Sequence, residues 1–172
     1  MGQYYICIFL AEDGKYIRAA VHPSNYSEGS KLTEHSYMDT HFMNSIEYML
    51  SPKGMFYKSR LVWAGDYADA EDLVNLYSMA QEMEDKAISS NKKTDCNFIL
   101  NHTKKLFIDK CKAGPNKLTG LHPLPLLTSE GNGSGGGDYF GPHKELCGSW
   151  ARDVISLDSS DCGYEEFIPE FS

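Results

Sequence analysis

Apolar and polar positions alternate between two rhythms along the chain. Residues 3–10, QYYICIFL, are aromatic and β-branched, and residues 16–22, YIRAAVH, resume that character after the turn signal Asp13-Gly14; the pair predicts a hairpin. PSNYSEG then reads as a loop. Phe42, Met43, Ile46, Met49 and Leu50 recur at helical spacing, predicting a helix capped by Asp39 and stopped by Ser51-Pro52 and Gly54. MFYKSRLVWAGDY predicts a strand that turns at Gly65-Asp66. A second helix follows, with Asp69 as its cap and Leu73, Leu76, Tyr77, Ala80 and Met83 as its buried stripe. SSNKKTD and KAGPNKLTG read as connectors. Between them CNFIL and LFIDK form a second hairpin around NHTKK. LHPLPLL predicts an extended edge, because its prolines remove amide donors. In GSWARDVISLD, alternation places Trp150 and Arg152 on one face of a strand and Asp153 on the other. The elements sum to an α+β domain over residues 1–172, a mainly antiparallel sheet of six or seven strands with two principal helices packed on it. Residues 158–172 read as an acidic tail, loosely attached or docked as a final strand.

Composition narrows the class. With 172 residues, 41% of them hydrophobic, the chain can build one real core. Its 16 Lys+Arg against 24 Asp+Glu give a net charge of −8, which argues against gripping a nucleic-acid backbone or an anionic membrane. A local pocket for one or two phosphates remains compatible with that charge. No apolar run reaches the roughly 18 residues of a membrane span. MGQYYICIFL lacks the basic region and cleavage site of a signal peptide, and Ile6 stands where a myristoylation signal needs Ser or Thr. Five scattered cysteines without a C-x-x-C pair fit reduced thiols. The expectation is a cytoplasmic protein. No metal-ligand spacing and no cofactor motif emerges.

Candidate chemistry sits in the polar segments. SEGNGSGGGDYFG holds six glycines in thirteen residues. Its Gly131-x-Gly133-x-x-Gly136 matches the dinucleotide fingerprint in letters, but no helical pattern follows, and no Gly-Lys-Ser/Thr makes it a P-loop. What survives is a floppy connector, or a nest of amides facing an anion. In GSKLTEHSYMD, His35 has a pKa near neutrality suited to proton transfer, and Glu34 beside it would point the other way in an extended chain. Asp66, at the strand-to-helix junction of VWAGDYADAED, is a third candidate. In NHTKK, Asn101, His102, Lys104 and Lys105 gather positive charge at a hairpin tip. In GSWARD, Arg152 beside Trp150 could hold an anion and stack a ring. Each feature also has a structural reading: a capped turn, a bonded histidine, a solvated lysine pair, a core tryptophan.

Taken together, MGQYY, GSKLTEHSY, VWAGDYAD, NHTKK, HPLPLLTSEGNGSGGGDY and GSWARD resemble a set of uncharacterised proteins of bacteria and bacteriophages, with relatives in large DNA viruses. The resemblance implies a source and supplies no mechanism. It implies that the glycine-containing polar segments are the hallmark of the set. The leading expectation is a pocket for a small anionic ligand, phosphorylated or nucleotide-like, where these segments converge. In it the amides of Gly133, Gly135, Gly136 and Gly137 receive the anion beside Asp138, and Lys105 or Arg152 neutralises it. Trp150 or Tyr139 stacks a ring, and His35 with Glu34 or Asp66 performs any acid–base step of a hydrolysis. The alternative is a viral or phage interaction module contacting a host protein, or a virion component.

Overall fold

A computed structural model describes residues 2–84, 92–113 and 120–171; the two connectors expected at 89–95 and 112–120 lie partly outside them. The first hairpin forms as expected from strands β1 (Tyr5–Leu10) and β2 (Ile17–Val21). A short helix α1 (Leu32–His35) and helix α2 (His41–Leu50) follow. Then come strand β3 (Ser59–Gly65), helix α3 (Leu76–Gln81), the hairpin of β4 (Phe98–Asn101) and β5 (Leu106–Asp109), and helices α4 (Lys110–Ala113) and α5 (Pro123–Leu127). Short strands β6 (Ser129–Glu130) and β8 (Glu165–Glu166) flank β7 (Val154–Asp158) in sequence. The eight strands make one mixed, mostly antiparallel sheet ordered β2-β1-β3-β7-β4-β5-β8, with β6 parallel to β3. Both faces are covered. Cys7, Phe9, Leu61, Trp63, Ile155 and Leu157 pack under α2 and α5, whereas Ile6, Ile8, Val62 and Ala64 pack under α3.

Four local expectations are corrected. Asp39 adopts φ 62° outside the helix, and Thr40 caps α2 by accepting the Met43 amide at 3.1 Å. Asp69 caps nothing: α3 starts later, where Asn75 accepts the Ser78 amide at 2.9 Å. Leu73, expected in the buried stripe, is therefore 94% exposed. LHPLPLL is extended only at Leu121, which bridges Tyr37, and His122; Pro123–Leu127 is helical. His122 caps α5 through the Leu124 amide at 3.2 Å, and Pro123 stands at the start, where a missing amide costs nothing. The same His122 meets buried Glu47 of α2 at 2.9 Å, and Lys110 closes the cluster from the other side. Fourth, Trp150 and Arg152 share no strand face. Residues 148–153 turn, with Arg152 at φ 66°, and β7 begins only at Val154.

One feature of the register shapes the surface. β3 meets β7 only through Ser59–Ile155 and Arg60–Val154, so the β2-β1-β3 half and the β7-β4-β5-β8 half are stepped along the strand axis. On one side of the step the gap beside β3 is filled by β6. On the other side, beyond Leu10 and Ser59, a notch stays open. The tail folds back along the sheet. After β7 it crosses β4 and β5, pairs as β8 parallel to β5, and lays Phe167 on Trp150 and Phe171 on Tyr139, at centroid distances of 5.5 and 5.3 Å. Among the described residues no helix is long and apolar enough to cross a membrane.

Candidate functional site

The glycine loop closes on the protein itself. Gln3 is fully buried beneath it and donates to Asp138 at 2.9 and 2.8 Å. Asp138 also accepts the Gly135 amide at 2.8 Å and the Tyr5 hydroxyl. These three donors make four contacts, matching the roughly four lone-pair sites of a carboxylate. The bare backbone is needed for this approach: a Cβ on Gly135 would sit 2.6 Å from the Gln3 Cβ, and one on Gly137 would collide with the Gln3 carbonyl oxygen. The Asn132 amide bonds the Gln3 side chain at 3.3 Å, and the Ser134 amide bonds Asn132 at 2.9 Å. Of these loop amides only that of Gly135 meets a carboxylate, and it is the chain's own Asp138. Gly133 and Gly136 lie on the exposed side of the loop. The loop itself borders a pocket of about 290 Å³ whose lining includes Gly131, Gly133, Asp138, Tyr139, Lys144 and Cys147. Burial, and next Asp138, push the Cys147 thiol up to about 11, which keeps it protonated.

The expected acid–base group is likewise built inward. His35 is fully buried, its Nδ1 bonded to the Gly29 carbonyl at 2.9 Å and its Nε2 accepting from the Trp63 indole at 3.0 Å. Burial drops its pKa to about 4; this is a neutral histidine with both nitrogens engaged. Glu34 is exposed and accepts the Lys31 amide at 3.0 Å, as a helix start requires. Asp66 takes the Tyr4 amide at 2.9 Å and so fastens the chain start to the end of β3.

The two expected cations lie elsewhere. The Arg152 guanidinium is held by Glu130 at 2.6 and 2.8 Å, by Glu71, and by the Gly14 carbonyl at 3.0 Å. Two carboxylates thus neutralise it and raise its pKa further. Lys105 stands beside Leu106, five rows along the sheet and four strands across from Tyr5. At about 3.4 Å per residue and 4.8 Å per strand, that separation is about 25 Å. Trp150 is 1% exposed in the core, and Tyr139 is buried with its hydroxyl on the Pro142 carbonyl at 2.8 Å. The structure therefore brings Gln3, Tyr5, the glycine loop, Asp138 and Tyr139 together, and leaves Lys105 and Arg152 apart from them.

Unneutralised positive charge gathers instead at the notch. Its volume is about 570 Å³, with Leu10, Ser59 and Val154 as its floor and Arg18, Lys58, Arg60, Tyr57 and Glu12 around it. Arg18 donates to the Ser59 hydroxyl at 3.3 Å and lies 5.0 Å from the Phe56 ring. Arg60 is pinned by the Glu12 and Arg152 carbonyls at 2.9 and 2.8 Å. Lys58 stands 5.2 Å over the Tyr57 ring. Among the described residues no ion pair involves Arg18, Lys58 or Arg60.

A directed hydrogen-bond chain adjoins the notch. Asp158 accepts the Tyr57 hydroxyl at 2.8 Å and the Ser156 hydroxyl at 2.6 Å. Ser156 has one hydrogen, and a carboxylate can only accept, so its oxygen must receive His102 Nε2–H at 2.7 Å. His102 Nδ1 then carries the lone pair and accepts the Tyr164 hydroxyl at 2.9 Å. Burial first, then the charges of Lys58 and Lys105, lower the His102 pKa, against an opposing pull from Asp158. Burial and the Asp158 bond push Tyr57 up to about 12. Of this ensemble the sequence had marked only His102 and Lys105, through NHTKK. Arg18, Tyr57, Lys58, Ser156 and Tyr164 carry no motif; their convergence depends on the stepped register and on the path of the tail.

No protein-family model, curated protein or solved structure matches the chain.

Proposed function

We propose that the protein binds a small phosphorylated compound, nucleotide-like in size, in the notch lined by Arg18, Lys58 and Arg60. The observation that supports this reading is three cations against one carboxylate, Glu12, around one depression, the cations free of ion pairs among the described residues, in a chain of net charge −8. Elsewhere half-buried Arg152 pairs with two glutamates, half-buried Lys110 with Glu47, and exposed Lys104 with Asp153. Charge-assisted bonds from guanidinium and ammonium groups to phosphate oxygens are the stronger class, and Tyr57 at the rim offers a ring face. The ligand class is the one the sequence suggested, and its place is the sheet step instead of the glycine loop.

The test is a thermal-shift screen with inorganic pyrophosphate and nucleoside mono-, di- and triphosphates. A compound at a hundred times its Kd adds about 2.7 kcal/mol of stability, and the shift is expected to vanish in Arg18→Glu and Lys58→Glu. A shift that survives both variants would place the ligand elsewhere. The rival reading, a protein-interaction module, has one observation in its favour: Leu73, Val74 and Met79 are 94, 47 and 39% exposed around a hollow of about 380 Å³. Silence from every phosphorylated compound would favour that module.

A further inference from the structure

We infer that Tyr164 is a nucleophile and His102 its general base, so that the site hydrolyses a phosphate ester through a phosphotyrosine intermediate. The inference rests on the proposed ligand class and deepens it. An activated nucleophile is recognised by a base within hydrogen-bond reach and a third group that orients the base. Here Tyr164 Oη lies 2.9 Å from His102 Nδ1, and Ser156, anchored on Asp158, fixes the opposite ring nitrogen at 2.7 Å. The bond directions leave Nδ1 unprotonated and pointed at the phenol proton. The two rings meet edge-on at 5.6 Å, and Lys105 stands 5.2 Å over the Tyr164 ring, where its charge favours a developing phenolate. Tyr164, His102 and Asp158 are half-buried and Ser156 is fully buried. Tyr57 links the chain to the notch, because it lines that depression while bonding Asp158.

The chemistry balances without a cofactor. Tyr164 Oη attacks phosphorus while its proton passes to His102 Nδ1; the new P–O bond forms as the bond to the leaving alkoxide breaks, and that alkoxide takes the proton from His102. Water then attacks the phosphotyrosine phosphorus and gives one proton to Nδ1. The P–Oη bond breaks, and the phenolate recovers the proton. The net change is ester plus water to alcohol plus phosphate. Tyr164 and His102 are catalytic residues in this scheme, and Ser156 and Asp158 are positioning residues.

The full chain is incubated with p-nitrophenyl phosphate and with bis(p-nitrophenyl) phosphate, and p-nitrophenol release is followed. Acid-quenched samples are searched by peptide mass spectrometry. Expected are turnover of at least one ester, phosphate on the peptide carrying Tyr164, and loss of both in Tyr164→Phe, which keeps the ring against His102. His102→Gln should slow release by about a hundredfold or more, and the pyrophosphate-induced thermal shift should persist in both variants, which also verifies that they fold. Tyr164→Phe turning over at the wild-type rate, or a phosphate adduct on another residue, would overturn the inference. So would a wild-type chain that binds pyrophosphate yet releases no p-nitrophenol and forms no adduct; the binding reading would then stand. A chain that does neither would overturn both.

Discussion

His35 and Asp138 show how a polar residue in this chain becomes structural. Each is removed from water and receives a full set of partners, which is what burial of a polar group demands. The consequence for His35 has a definite sign. Its folded pKa of about 4 lies below the usual value of about 6.5, so on acidification the unfolded chain takes up the proton first. Stability therefore falls as pH drops from about 6.5 to about 4, by up to roughly 3 kcal/mol. Denaturant midpoints measured across that range should show a steeper loss in the wild type than in His35→Gln; equal slopes would contradict the assignment. Asp138→Asn presents an amide to donors that need an acceptor and should cost about 3 kcal/mol. Glu34→Gln, exposed and bonded to one amide, should stay within about 0.5 kcal/mol of wild type in the same unfolding assay.

At the scale of elements, the tail covers the β5 edge of the sheet. Phe167 donates its amide to the Phe107 carbonyl at 2.8 Å and lays its ring on Trp150, so a short β8 is clamped from two directions. Phe167→Ala should cost about 2 kcal/mol, less than a fully buried phenylalanine. It should also speed hydrogen exchange along β5, whose edge β8 covers; unchanged exchange at Phe107 and Ile108 would mean that β8 holds nothing. The elements themselves were largely legible in the sequence where periodicity and turn chemistry agreed, as in both hairpins and in α2. They were illegible where one residue decides the local state. Thr40 and Asn75 cap in place of Asp39 and Asp69, and His122 turns a proline-rich run into α5. The glycine run was visible as a close approach of backbone, but its partner, Gln3, lies 129 residues from Asn132 along the chain. Sequence spacing cannot show that pairing. The notch was least legible, because it arises from a two-pair contact between β3 and β7.

For the whole molecule, net charge and local charge point in opposite directions. A chain of −8 repels a phosphorylated ligand at long range, whereas the notch attracts it at contact. At physiological ionic strength the screening length is about 8 Å, so added salt first weakens the distant repulsion and then the contact pairs. The apparent affinity for pyrophosphate should accordingly change little at low salt and fall at high salt, as a titration series in increasing sodium chloride would reveal. A monotonic strengthening with salt would point to apolar binding, such as at the Leu73 hollow. The most direct test of location is a heteronuclear NMR titration of the full chain with inorganic pyrophosphate. Amide shifts should concentrate at Arg18, Tyr57, Lys58 and Arg60, with the glycine loop unmoved. Shifts centred on residues 131–138 instead, with the notch silent, would contradict the placement of the site at the sheet step.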